Sequence, residues 1–213
     1  MKKILLCVLS MFMLTACSST SNTTESTPSV TSTPKVNVMA DYEKVEEDNV
    51  FYTKDQDSVM KLIEHGTGVV YLGFKECPWC QAYAPYLDEV SKEYDLSVLY
   101  YDILNDRKEN TEFYQNLVEL IGKQGEDITG YDNDGNARIY VPLVLYVVNG
   151  EIIGYDGESN QLSTDDISVE DYWTEERVSA LKEKLGSFSE TVKNAQEENN
   201  SQGCDINSCA DEN

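Results

Sequence analysis

The chain has 213 residues, with 16 Lys and Arg against 39 Asp and Glu, a formal net charge of −23 and a pI near 4.2. That balance excludes nucleic-acid binding through a phosphate-neutralising surface, which needs clustered Lys and Arg. The single histidine, His65, excludes a His-triad metal site and argues against His-based hydrolysis, and the length suits one domain with flanking segments.

At the start of the chain, Lys2 and Lys3 precede an apolar run from Ile4 to Leu14, broken only by Ser10. The run is too short to span a bilayer, and its flanks suit a signal peptide. Leu14-Thr15-Ala16-Cys17 resembles the lipobox of bacterial lipoproteins. That resemblance implies a lipoprotein signal peptide over residues 1–16, with Cys17 as the lipidated first residue and Cys7 discarded. The alternative is an ordinary secretory signal ending on a chance cysteine. A lipid anchor would hold the protein at the extracytoplasmic face of the cell membrane without a spanning helix. Thiols there are not kept reduced. Residues 1–16 hold two lysines and no acid, so the remaining chain carries 14 basic and 39 acidic side chains, a net charge of −25.

Residues 18–36 contain twelve Ser or Thr and two Pro and offer little apolar surface to offset ordering entropy. Together with the acidic stretch Asp41–Asp48 they read as a flexible tether over residues 17–48. Residues 187–213, rich in Glu, Asn, Gln and Ser, read as an acidic flexible tail. The core between them spans residues 49–186.

Within the core, Val50 to Tyr52 reads as a short strand. Thr53 and Gln56 form a capping-box pattern, and Val59, Leu62 and Ile63 recur at helical spacing before a stop at Gly66. Gly68 to Phe74 is a continuous apolar run, as a buried central strand requires. A helix is predicted from Pro78 to about Tyr94, then a strand from Leu96 to Ile103. Phe113, Leu117, Leu120 and Ile121 share a helical face ended by Gly122. Residues 123–138 read as a loop or small insertion. In that loop Asp132-Asn133-Asp134-Gly135-Asn136 hints at a calcium loop, but the glycine is at the wrong position, so it reads as a turn. Leu143 to Val148, the turn Asn149-Gly150 and Glu151 to Tyr155 give a hairpin signal. Val178, Leu181 and Leu185 mark a last helix closed by Gly186. The order β-α-β-α-β-α-β-β-α is an α/β layout with parallel crossovers first and an antiparallel hairpin later.

The chemistry is expected at Cys77-Pro78-Trp79-Cys80, which follows the buried strand and opens a helix. A cysteine at a helix N-terminus faces unsatisfied N–H groups and the positive end of the dipole, and both favour the thiolate. Pro78 suits the first turn, where its missing N–H costs nothing. Two intervening residues bring the sulfurs close enough for an exchangeable disulfide. Three other readings stand beside this one. A structural disulfide would close a very small loop and constrain the unfolded chain little. A zinc site would need two further ligands, which Cys204 and Cys209 could supply in principle, though at looser spacing and from the tail, and chance pairing is the third. Trp79, between the two cysteines, is expected to meet whatever docks there.

These residues resemble the thioredoxin superfamily over about Asn49 to Gly186. GVVYLGF before CPWC, Pro85 five residues after the second cysteine, and Val141-Pro142 at the start of the hairpin carry the likeness. The resemblance implies a thioredoxin fold, a central mixed sheet flanked by helices. It implies that Pro85 kinks the active-site helix and that a cis Val141-Pro142 packs beside the dithiol and shapes a groove for an extended substrate. More narrowly, FYTKD, GTGVVYLGF, CPWC, YYDI and the YVP-strand-NG hairpin look like the thioredoxin-like lipoproteins of Gram-positive bacteria grouped with bacteriocin transport accessory proteins. There are departures. Pro-Trp stands between the cysteines in place of Gly-Pro. Tyr71 stands where thioredoxin has a buried acid, and Glu76 stands where a Trp usually precedes the first cysteine. A carboxylate at Glu76 would raise the neighbouring thiol pKa, with Lys75 a partial offset. The longer separation from Cys77 to Pro142 fits an insertion near residues 123–138.

Cys204 and Cys209 form a second pair in the tail. They read either as a local disulfide or as an auxiliary dithiol that a mobile tail would carry to Cys77 and Cys80. His65 reads as a surface residue and the tyrosines as structural. The expected function is thiol–disulfide exchange on a disulfide-containing protein or peptide client, with Cys77 attacking and Cys80 resolving. No cofactor or metal is called for; a redox partner in the membrane would reset the pair. The alternative is an accessory binding protein for export or maturation of a secreted, bacteriocin-like peptide, with attraction of cationic peptides to an acidic surface. Metal delivery is a third possibility, against which the lone His65 argues.

Overall fold

The computed structural model describes residues 37–125, 127–157 and 167–201. The signal segment, Cys17, most of the tether, Cys204 and Cys209 lie outside the described residues. In chain order the elements are β1 (Phe51–Tyr52), α1 (Gln56–His65), β2 (Gly68–Gly73), α2 (Pro78–Glu93), β3 (Val98–Asp102), α3 (Leu104–Glu109) and α4 (Glu112–Gln124). Then come β4 (Gly130–Tyr131), β5 (Ala137–Arg138), β6 (Leu143–Val148), β7 (Glu151–Asp156), α5 (Val169–Tyr172) and α6 (Glu175–Ser201).

β2 is apolar at every position, so neither of its faces can meet water, and all six residues are buried. It lies at the centre of a five-stranded mixed sheet in the order β1-β3-β2-β6-β7. β1 and β2 both pair parallel with β3, whereas β6 pairs antiparallel with β2 and with β7. Alternation along β2 divides the core. Val69 and Tyr71 face a cluster covered by α2 and α6, while Val70 and Leu72 face a second cluster covered by α1 and α4. Each fully buried Val or Leu contributes about 1.5–3 kcal/mol. Among the described residues no helix is long and apolar enough to cross a membrane.

The mixed α/β architecture matches the expected layout, and the differences have local causes. Asp55, not Thr53, caps α1, because its carboxylate accepts from the Ser58 amide at 2.8 Å. α4 runs past Gly122 to Gln124, whose side chain accepts from the Ile152 amide at 2.7 Å and holds the extra turn against β7. The 123–138 segment contains the β4–β5 hairpin. Asp132 accepts from the Asp134 and Asn136 amides there, and Gly135 adopts a φ of 82° that favours glycine.

Two expected mobile segments are packed where they are described. Residues 37–48 were read from their acidity as tether, yet Met39 and Tyr42 are buried in the cluster under α2. Val38 and Val45 pack against it too, so four apolar residues spaced through the acidic stretch supply the anchoring surface. Gly186 does not end α6. It is buried where a Cβ would stand 3.1 Å from the Tyr94 hydroxyl, so it permits close approach of helix to neighbour. The helix continues to Ser201 with Ser189 and Val192 buried, and Gln196 and Asn199 donate to Thr67 just before β2. The acidic tail therefore begins as ordered helix.

Candidate active site

The site is built at the C-terminal end of β2. The strand stops at Gly73, and the Cys77 amide donates to the Phe74 carbonyl at 3.1 Å, closing a turn. Cys77 is then extended (φ −87°, ψ 114°) and is the N-cap of α2, with Pro78 in the first helical turn. Its Sγ accepts from the Cys80 amide at 3.3 Å. No acidic residue occupies the first turn, so the sulfur is the group that the helix end serves. Both cysteines are free thiols, Cys77 at 8% exposure and Cys80 fully buried.

Their environments push the two thiols apart. Cys77 is lowered from 9.0 to about 7, chiefly by the hydrogen bond with the Cys80 side chain. Burial opposes this, while the Cys80 and Trp79 amides and the charge of Arg107 assist it. The thiol falls in spite of Glu76; Lys75, the expected offset, is paired with Asp41 at 2.6 Å. Cys80 is pushed well above the ordinary range, first by burial and then by its hydrogen bond and charge interaction with Cys77. The arrangement gives one sulfur ready to ionise near neutrality and one that keeps its proton until its surroundings change.

Tyr71 lies directly beneath. Its hydroxyl donates to the Cys80 carbonyl at 3.2 Å and also favours the Cys80 thiolate. Burial raises the Tyr71 phenol well above its usual value, so it serves as a donor and not as a base. A Cβ on Gly73 would stand 3.2 Å from this hydroxyl and 3.3 Å from Cys80 Sγ, so the missing side chain is what lets phenol and thiol meet. Tyr71 in turn stacks on Tyr83 and meets Tyr100, whose hydroxyl accepts from Tyr42 at 3.3 Å.

The other predicted residues are placed as follows. Pro85 is inside α2 and lines, with Pro78, Tyr86, Glu43, Glu170 and Trp173, a cleft of about 640 Å³. The Val141-Pro142 bond is cis. Leu72 pairs with Leu143 across the β2–β6 ladder, so one step on brings Pro142 opposite Gly73 and thus to the dithiol. Val141 packs against the cluster that contains both cysteines. Trp79 differs from expectation: it is only 9% exposed, because the Tyr172 ring covers it edge-on at 5.3 Å. His65 is exposed in the last turn of α1. Among the described residues no three metal-ligating side chains gather.

Sequence reasoning missed Arg107, Tyr172 and Trp173, and it treated Tyr71 only as a substitution. The period-2 alternation through Tyr71 and Gly73 was the available signal for Tyr71. Arg107 stacks over the Phe74 ring at 4.8 Å, a contact that only the β2–β3 pairing creates.

The structure thus defines an α/β protein whose central strand delivers a two-cysteine turn to the head of a helix. No protein-family model matches the chain, and no curated protein matches it.

Proposed function

We propose that the chain is a thioredoxin-fold thiol–disulfide oxidoreductase, held by lipid on Cys17 at the extracytoplasmic face of the membrane. The observation that carries this reading is Cys77 at the head of α2, its thiol lowered to about 7 beside a buried partner that keeps its proton. The Cys77 thiolate attacks one sulfur of a client disulfide. The second client sulfur leaves as thiolate, and a mixed disulfide forms. Cys80 loses its proton and attacks Cys77 Sγ, which frees the first client sulfur and closes the Cys77–Cys80 disulfide. Two electrons have passed from the pair to the client, and a membrane dithiol partner returns them. The reverse sequence would oxidise a dithiol client.

A first thiol near 7 resembles reducing dithiols, whereas strong oxidants hold theirs near 3.5. The potential of the Cys77–Cys80 couple decides the direction: a value near about −270 mV marks a reductant and one near about −120 mV an oxidant. The order β1-β3-β2-β6-β7, the cis Val141-Pro142 bond and Pro85 within α2 support the fold reading. Insulin reduction tests the activity: the parent chain should catalyse it and Cys77→Ser should not. A Cys77→Ser protein that retained the parent rate would overturn the proposal. Incorporation of labelled fatty acid, lost in Cys17→Ala, tests the anchor.

A further inference from the structure

A second cleft, of about 510 Å³, is lined by Arg107, Tyr114, Gln115, Asp132, Asn136 and Arg138 among others. Arg107 lies over the Phe74 ring at 4.8 Å, and the Phe74 carbonyl accepts from the Cys77 amide at 3.1 Å, so this cleft adjoins the turn that carries the dithiol. Arg138 precedes Val141 by three residues, on the segment that leads to the cis bond.

Each arginine lies over a ring, Arg107 on Phe74 at 4.8 Å and Arg138 on Tyr140 at 5.7 Å, but neither has the carboxylate partner that this acidic chain could easily have supplied. Every ion pair among the described residues is made by a lysine or by His65. Arg138 Nε is buried without a hydrogen-bond partner. Asp132 lines the cleft and feels the charge of Arg138, but its carboxylate is hydrogen-bonded to the Asp134 and Asn136 amides and the Asn136 side chain and forms no ion pair with either arginine. Arg107 and Arg138 also repel one another. Two like charges, half-buried side by side, are costly unless an anion joins them, and guanidinium matches carboxylate geometry through paired N–H donors.

We propose that the Arg107–Arg138 cleft receives a side-chain carboxylate flanking the reactive cysteine of a peptide client, which gives the dithiol a preference for acid-flanked disulfides. This rests on the oxidoreductase reading and deepens it. A client strand laid along the Val141-Pro142 segment, with its sulfur at Cys77, carries the neighbouring residues over the cleft. The preference runs against the chain's overall charge, which would draw basic peptides: the two arginines give this one cleft the opposite sign.

The test uses two C-terminally amidated, oxidised peptides. One is residues 201–213 of this chain, in which Asp205, Asp211 and Glu212 flank Cys204 and Cys209. Its twin carries Asn, Asn and Gln at those three positions. Reduced full-length protein is mixed with each, and the single-turnover rate is read by acid quench and mass analysis. The acidic peptide should react about tenfold faster at low salt, with the ratio shrinking at high salt. In Arg138→Gln the ratio should fall towards one, and Arg138→Lys should restore part of it. Equal rates in the parent protein, or a ratio that Arg138→Gln leaves intact, would overturn the proposal while reduction of both peptides upholds the oxidoreductase reading. If neither peptide is reduced, that reading fails, and binding of the Ser-for-Cys peptide pair decides the cleft. Tighter acidic-peptide binding that Arg138→Gln abolishes supports the site; equal binding removes it.

Discussion

The two faces of the central sheet are made of different material. Under α1 and α4 lie Val59, Ile63, Val70, Leu72, Leu99, Ile103, Leu117 and Ile121, aliphatic side chains with no polar atom to satisfy, and one buried tyrosine, Tyr114, whose hydroxyl accepts from the Ile139 amide at 3.1 Å. Under α2 and α6 lie Phe51, Tyr42, Tyr71, Tyr83, Tyr100, Trp79 and both cysteines. β2 supplies both faces, Val70 and Leu72 to one and Val69 and Tyr71 to the other, and the elements packed on each side continue the difference. The aliphatic face fills volume. The aromatic face fills volume and also brings hydroxyl groups to a buried thiol, because a phenol ring is apolar along its body and polar at its tip. Stability and chemistry are thus separable by face, and this can be attacked from either side.

The largest expected effect is on the aliphatic side. Leu72→Ala should cost about 2–5 kcal/mol in urea unfolding and leave the Cys77 titration where it is. A shifted titration would show that the faces are not independent. Next is pH. Cys77 has a lower pKa folded than unfolded, so the reduced protein gains stability as pH rises from about 7 towards 9.0 and loses it on the way down. Cys80, raised when folded, works in the opposite sense only above the ordinary thiol range, so it does not cancel that window. The gain is on the order of 2 kcal/mol, to be read by comparing reduced protein with Cys77→Ser at both ends of the window. A flat profile would break the link between site and stability. Tyr71→Phe should cost about 1 kcal/mol, raise the Cys80 thiol further and slow release of a mixed disulfide, leaving the first attack unchanged. Smallest is Arg107→Gln. It should raise the Cys77 thiol and slow first attack a few-fold at pH 6.5, with the difference closing by pH 9. An equal loss at both pH values would mean that Arg107 acts through packing.

What could be read from the chain was what neighbouring residues decide. The apolar run of β2, the cysteine turn and helix start that follow it, and the Asn149-Gly150 hairpin are each specified within a dozen residues, and each is present. What escaped depends on partners far along the chain. Tyr172 covers Trp79 from 93 positions away. Met39 and Tyr42 looked like scattered apolar residues in an acidic tether until α2 offered Gln81, whose side chain donates to the Asp41 carbonyl and accepts from the Glu43 amide. The long run of α6 was hidden by its composition. Its surface is Glu, Asn and Gln, and its burial rests on widely spaced small and apolar residues such as Ser189 and Val192.

The course of α6 also governs which molecules can meet. The chain enters it from Tyr172 and Trp173 beside the dithiol and leaves it near Thr67, at the opposite end of β2. β2 alone is about 20 Å long. Cys204 follows Ser201 by three residues, a reach of about 11 Å at most, and Cys209 follows by eight, about 28 Å only when drawn straight. Ordered helix through Ser201 therefore starts the tail at the end of β2 remote from Cys77 and Cys80, so the fold and not only the tail's length sets where its two cysteines begin their search.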